Sequence, residues 1–262
     1  MPIVNDRRLD ALVYQVCTLD GHLAPTVPQV PTLALANSPG ILGTTLQVAG
    51  RTITIGCDVR PSSLADRQTI MDTLRRRLGG LLELRTDDLP TRVIRCILQD
   101  VQVEFYTGAY AQSAVFVTIT LFAPDPARRD LEPLLYGLST SRVACPIGTD
   151  TSAPDVWIYG ACTNPALVLR AHTGAEVLRT TFAVVLAADD ALFIESAAQR
   201  ITRYVGGVVQ TGANSGLAAF ASGAFPLLSP EDAAADGSSS PTVQLEASAG
   251  TPTGLIRYTR RW

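Results

Sequence analysis

The sequence predicts a mainly β chain of two domains, the first β-barrel or sandwich-like with one amphipathic helix and the second a β-sandwich. Three observations predict it. Short runs of alternating or β-branched apolar residues recur along most of the chain, Gly and Pro (20 and 17 residues) punctuate them, and one window alone repeats its apolar residues at helical spacing. With 262 residues the chain has room for two domains of ordinary size. A hydrophobic share of 47% against 17% charged residues supplies packed cores and leaves apolar surface for partners.

Taken in order, residues 12–17 are a first strand candidate. Pro25, Pro28, Pro31 and Pro39 follow at a spacing that favours an extended loop or arm. Thr52, Ile53, Thr54 and Ile55 then alternate, which gives a strand with one wet and one apolar face. Pro61, Ser63 and Asp66 form a helix-start signal, because the side-chain oxygens satisfy free N–H groups of the first turn. The helix is expected over about 63–78, with Ile70, Met71, Leu74 and Leu78 on one face and Arg67, Asp72, Arg75, Arg76 and Arg77 on the others. Gly79-Gly80 ends it, and its basic last turn complements the carbonyl end of the helix dipole.

Residues 81–84 return to strand character, Asp87-Asp88-Leu89-Pro90 makes a turn, and 91–105 is an apolar run long enough to bend or split. Residues 115–121 alternate cleanly, with Val115, Val117, Ile119 and Leu121 on one face and Phe116, Thr118, Thr120 and Phe122 on the other. Both faces are apolar enough to bury, so this strand is central or lies at an interface. Pro124-Asp125-Pro126 stops it, and a domain boundary is expected between about 124 and 140, which gives domains at 1–135 and 141–262. Beyond it, strands at 155–160, 166–171, 175–186, 191–195, 199–205, 242–247 and 255–261 recur at sandwich spacing, apart from a gap at 206–241. Residues 229–240 read as a polar, flexible loop.

The chemistry-bearing residues exclude more than they propose. A net charge of −3 and a pI near 5.4 speak against a general nucleic-acid binder. All 21 basic residues are Arg, which fits a codon bias as well as a functional preference. Cys17, Cys57, Cys96, Cys145 and Cys162 are far apart and odd in number, a pattern of reduced thiols and not of a disulfide framework or a zinc site. No metal or organic cofactor is expected. Asp6, Arg7, Arg8 and Asp10 stand where an export signal would be apolar, and no run reaches membrane-span length, so a soluble chain without membrane insertion is expected.

His22 and His172 lie in no ligand spacing and read as surface or turn residues. Phosphate-loop, dinucleotide and nucleophile-elbow signatures are absent, and Asp87-Asp88 and Asp189-Asp190 read as turns rather than as acid–base pairs. No enzyme is expected. Arg75, Arg76 and Arg77, with Arg257, Arg260 and Arg261, could grip an anion or an acidic partner surface. Trp157 and Tyr159 share a strand face and are the candidate glycan contact.

The strand–helix–strand unit, the Asp87-Asp88-Leu89-Pro90-Thr91-Arg92-Val93-Ile94-Arg95-Cys96-Ile97-Leu98 hairpin and the exit Val117 to Pro126 resemble the distal tail protein family of siphophages, the bacteriophages with long non-contractile tails. The second half resembles the galectin-like C-terminal domain many of them carry, through Thr163-Asn164-Pro165, the Gly174 turn, Leu192-Phe193-Ile194-Glu195, Phe225-Pro226-Leu227-Leu228 and Ile256 to Trp262. One departure is Ser229-Pro230-Glu231 and the long loop after it, where the family often has a short turn. The resemblance implies a virion structural protein at the tail tip, assembled in the host cytoplasm. It would form a homo-hexamer that joins the tail tube protein to the baseplate hub or tail-associated protein, with DNA only as passing cargo and host-surface carbohydrate as a further candidate partner. In such a ring each subunit uses two different patches, and the candidates are Arg75, Arg76 and Arg77 with Val115, Val117 and Ile119. The alternative function is a carbohydrate-binding module of a phage or prophage tail. A tail-associated glycosidase is the weakest reading, since no carboxylate pair is convincingly placed.

Overall fold

The structure, a computed structural model, describes residues 2–4, 7–9, 15–23, 28–29, 32–34, 41–43, 47–48, 50–106, 114–212 and 215–262. Two compact units divide the chain, Met1–Arg129 and Asp130–Trp262. Both are mostly β.

The first unit is an antiparallel sheet whose strands run in the order Arg7–Arg8, Pro2–Val4, Leu81–Thr86, Leu89–Phe105, Val115–Ala123, Arg51–Val59, Gln15–Asp20. Its centre is an unbroken nine-residue register between Arg51–Val59 and Val115–Ala123. Ile53 lies opposite Leu121, Ile55 opposite Ile119, Cys57 opposite Val117 and Val59 opposite Val115, and all eight side chains are buried. Such cross-strand pairs are the unit of sheet stability. Gly56 is required on the opposite face, because a Cβ there would meet Thr18 Oγ1 at 2.4 Å and the Phe116 ring at 2.7 Å.

The helix Leu64–Arg77 closes over the apolar face with Met71, Leu74 and Leu78. Ser63 caps it by accepting from the Asp66 backbone N–H at 3.1 Å, and Asp66 in turn accepts from the Ser62 backbone N–H at 2.7 Å and the Ser62 hydroxyl at 2.9 Å. Those bonds to the charged form hold the Asp66 carboxyl below its ordinary range. Gly80 takes φ +81° after the helix, a conformation that other L residues avoid.

Leu89–Phe105 is one strand of 17 residues, not two. It pairs with Leu81–Thr86 in its first half and with Val115–Ala123 in its second, and the register shifts between Leu98 and Asp100, a bulge that lets one strand serve both partners. The Pro-rich stretch is more regular than expected where it is described: Pro28–Gln29 pairs with Gln47–Val48 and Thr32–Ala34 with Ile41–Gly43. Prolines 25, 31 and 39 lie outside the described residues.

The second unit is a sandwich. A six-stranded sheet runs Leu134–Leu138, Thr253–Tyr258, Asp155–Tyr159, Ala191–Glu195, Arg200–Val205, Val208–Val209, and a five-stranded sheet runs Val143–Ala144, Thr242–Glu246, Ala166–Arg170, Glu176–Phe182, Phe220–Ser222. Val156, Ile158, Leu192, Ile194 and Ile256 from the first meet Leu167, Leu169, Phe182, Val243 and Leu245 from the second in one core. The run 175–186 breaks into Glu176–Phe182 and Val185–Leu186, the latter pairing with Cys162–Thr163 in a separate small sheet. Residues 134–138, which the sequence assigns to the boundary, form a strand paired with Thr253–Tyr258.

Full burial of a leucine is worth about 1.5–3 kcal/mol, and a cavity adds to the loss when the side chain is truncated. Leu74→Ala should therefore destabilise the first unit by about 2–5 kcal/mol in equilibrium urea unfolding, while Arg76→Ala on the exposed face of the same helix changes it by about 0.5 kcal/mol or less.

Candidate interaction surfaces

The helix Leu64–Arg77 carries different chemistry at its two ends. At its C-terminal end Arg75 and Arg76 are exposed and Arg77 is half-buried. Leu74 and Leu78 face the core, so helical geometry turns Arg76 outward and Arg75 and Arg77 to the flanks. The acidic neighbour of this turn is Asp72, whose carboxylate is 3.9 Å from Arg75 Nη1, while Arg76 Nε reaches only the Asp72 carbonyl at 3.5 Å. Contacts this long and exposed contribute little.

Just ahead of the helix, at the end of Arg51–Val59, sits Asp58. It is 5% exposed. Its Oδ2 accepts from Arg60 Nε at 3.0 Å, and its buried Oδ1 has no hydrogen-bond partner among the described residues. Among the described residues, Asp58, Arg60, Tyr106 and Ala114 line a cavity of about 210 Å³. A carboxylate accepts through both oxygens, so this one retains capacity for a donor. Sequence reading passes over Asp58 because strict alternation puts it, with Thr54 and Gly56, on the face expected to be wet. Only its cross-strand partner Phe116 and the nearby Tyr106 reveal the burial.

Along the other side of the helix, Ala65, Arg67, Gln68, Met71, Asp72 and Arg75 form a groove of about 510 Å³ with Val103 and Phe105 of the long strand. Phe105 is 60% exposed, with the Arg67 guanidinium 5.2 Å from its ring centroid.

The structure does not place Val115, Val117 and Ile119 at a surface. They lie in the first unit's own core under the helix, with exposures of 1%, 0% and 0%. This corrects their expected role in a contact: the strand is central, as its two apolar faces require, and a partner could reach only its half-exposed opposite face of Phe116, Thr118, Thr120 and Phe122. His22 lies in a turn, its carbonyl accepting from Arg51 and Arg128 and its Nε2 3.9 Å from Asp88 Oδ2. Burial lowers the pKa of both guanidiniums from the ordinary value. Asp87 and Asp88 form the expected turn, and Asp190 accepts from the Ala187 and Gly206 backbone N–H groups, which makes it a loop brace. Among the described residues no group of three His, Cys, Asp or Glu is placed to hold a metal. Burial pushes the Cys96 and Cys145 thiols up to about 12, so neither is a thiolate nucleophile at neutral pH.

In the second unit Trp157 and Tyr159 are half-buried on the outer face of the six-stranded sheet. Trp157 stacks on its cross-strand neighbour Phe193, with centroids 4.3 Å apart and planes at 19°, and the Arg257 guanidinium from the strand on the other side lies 5.4 Å from the indole centroid. Both indole faces are thus flanked by neighbours on adjacent strands. Arg257 pairs with Asp155, Arg260 with Asp130 and Arg261 with Asp150, so each of these three cations has its carboxylate within the unit. The outer face of the five-stranded sheet carries a further lattice: Arg179 reaches Glu176 at 2.8 Å and Glu246 at 2.7 Å, and Arg170 lies 3.6 Å from each. The hydrogen bonds from Arg179 hold both glutamates below their ordinary range and raise its own pKa.

No protein-family model and no curated protein matches the sequence. Among solved structures, the SPP1 Dit (gp 19.1) protein, whose structure is described as a paradigm of the hub adsorption apparatus in phages infecting Gram-positive hosts, superposes with a TM-score of 0.72 over 100% of this chain and 98% of its own, at 12% identity. The chain shares that fold over its whole length. The phage P2 baseplate in its activated conformation, with Ca and with Sr, matches at TM-scores of 0.40 and 0.39 and 9% identity, over 94% and 93% of this chain and 90% of each matched chain, values too low to carry an argument.

The lattice around Arg179 makes the second unit acid-sensitive. Carboxyls whose folded pKa is lowered stabilise the fold above their unfolded value, near 4.5 for Glu, and that contribution is lost as pH falls through the folded value. The Tm of this unit should drop as pH goes from about 6 to about 3, and less steeply in Arg179→Met, as read by calorimetry across that range.

Proposed function

We propose that this chain is a structural protein of a siphophage tail, the distal tail component at the tail tip, where six copies close a ring that joins the tail tube to the baseplate hub while DNA passes as cargo. The observation that carries the reading is the full-length likeness to SPP1 Dit across both units. The chemistry agrees with a scaffold: the charged clusters of the second unit are internally paired, and the buried cysteines Cys96 and Cys145 are protonated thiols. A subunit of a closed ring needs two different contact patches, and the first unit offers a basic helix end and, separately, the groove between the helix and the exposed Phe105. Light scattering on a sizing column should give a species near ~167 kDa, six protomers of 27.8 kDa. A monomer at every concentration would move the reading to a stand-alone binding module.

One observation favours a second, compatible reading of glycan contact. Trp157, Tyr159, Phe193 and Tyr204 are all half-exposed on one outer sheet face. Since the indole is flanked by Phe193 and Arg257, a sugar would meet the edge of that stack and the Tyr159 and Tyr204 rings. Binding to a glycan array that is lost in Trp157→Ala and Tyr159→Ala would support this; an array without signal for the unsubstituted protein would leave the adaptor role alone.

A further inference from the structure

We infer that the second unit binds an extended segment of a partner protein at the Val208–Val209 edge of its six-stranded sheet, with a carboxylate of that segment held by Arg203. The inference concerns the second unit alone and does not depend on the ring reading.

Three observations meet there. The first is an unmatched cation. Arg203 is half-buried and faces no carboxylate among the described residues, whereas Arg170, Arg179, Arg200, Arg257, Arg260 and Arg261 of the same unit each face one. Arg142 lacks one too, but it is exposed to solvent. Arg203 Nη2 donates to the Val185 carbonyl at a long 3.4 Å, and its buried Nε has no hydrogen-bond partner among the described residues. Asp190, two residues from the cross-strand neighbour Leu192, accepts instead from the Ala187 and Gly206 backbone N–H groups. Ala213 and Asn214, outside the described residues, are uncharged. A guanidinium carries five N–H donors in a planar fork that fits a carboxylate, and leaving them unpaired in a half-buried setting is costly.

The second is the apolar surface around it. Ile201, Arg203 and Val205 alternate onto the face of the sheet that covers the core, and Val208 stands opposite Val205. Ile201 is buried, whereas Val205 and Val208 are exposed. Val185, whose carbonyl Arg203 reaches, borders the same place. So does the short helix Gly216–Ala219, which packs on Ile201 at Gly216 and accepts from the Ala183 N–H through the Ala219 carbonyl at 2.7 Å. Val185, Val208 and Leu217 are 64%, 65% and 63% exposed. An apolar rim around a cation fits a carboxylate set between apolar side chains.

The third is a free strand edge. Val208–Val209 ends the six-stranded sheet and has one neighbour, Arg200–Val205. Antiparallel pairing alternates inward and outward backbone groups. The Gln210 N–H donates inward to the Arg203 carbonyl at 2.8 Å, so Val209 turns its N–H and C=O outward. Groups so placed pair with another peptide backbone, which selects a protein segment over a lipid or a free acid.

The test uses the full chain and two N-acetylated, C-amidated peptides of seven residues, with valine two positions to either side of a central glutamate and threonine elsewhere. The control peptide has glutamine at the centre. Isothermal titration calorimetry should show the glutamate peptide binding the unsubstituted chain about tenfold more tightly than the control, as one charge-assisted pair provides. Arg203→Gln should abolish that preference. Val209→Pro, which removes the outward N–H, should weaken both peptides alike, with circular dichroism reporting the fold of each variant. Equal binding of the two peptides to the unsubstituted chain, binding of neither, or a preference that survives Arg203→Gln would overturn the inference, and the first two outcomes need no variant to fold. A chain that is monomeric in light scattering yet shows the preference would remove the ring reading and leave this inference standing. Assembly of the unsubstituted chain that Arg203→Gln abolishes would make a second copy the occupant and overturn the choice of a partner protein.

Discussion

The register between Arg51–Val59 and Val115–Ala123 is the constraint on which the first unit depends. Nine consecutive pairs put four buried side chains of each strand on the same face, and a slip of one residue would turn Ile53, Ile55, Val117, Ile119 and their neighbours into solvent. The helix covers that face with Leu74 and Leu78, each wholly buried. Chain order then fixes the rest. The helix begins soon after the first strand of the pair ends, so Asp58 precedes it in the chain and the arginine turn closes it. The strand Leu89–Phe105, tied to the same ladder beyond its bulge, carries Phe105 out along the helix flank and creates the groove there.

Those features that rest on local signals were legible in the sequence. The helix is one: Ser63, Asp66 and Gly79-Gly80 mark its ends, and the observed Leu64–Arg77 lies within the expected span. The central position of Val115–Ala123 is another, since a strand apolar on both faces needs neighbours on both sides. What was not legible depends on distant partners. Leu134–Leu138 follows Pro133 and a charged stretch, and becomes a strand only because Thr253–Tyr258, more than a hundred residues later, supplies its ladder. Val185–Leu186 leaves the strand before it for a partner at Cys162–Thr163, and no property of the run 175–186 announces the change of sheet.

The interaction surfaces divide the same way. The arginine turn could be read from its charge and helical phase, whereas the alternation that makes Val115, Val117 and Ile119 look available on a strand face is the pattern of a buried ladder. Trp157 and Tyr159 were found as a shared face, yet Phe193 and Arg257, which decide how much of the indole a ligand could touch, come from strands far off in sequence. Asp58 was hidden by its position: a single acid on the polar side of an alternating strand carries no signal of burial until its neighbours are placed.

Charge matching separates the two units as partners. In the second, Arg170 and Arg179 stand against Glu176 and Glu246, and Arg257, Arg260 and Arg261 each face their own aspartate. Such pairs gain little from a further charge, because any incoming ion would first have to displace a partner already in place. In the first unit Arg75, Arg76 and Arg77 of the helix end are met, among the described residues, by Asp72 alone at 3.9 Å, while Asp58 is paired with Arg60 at 3.0 Å.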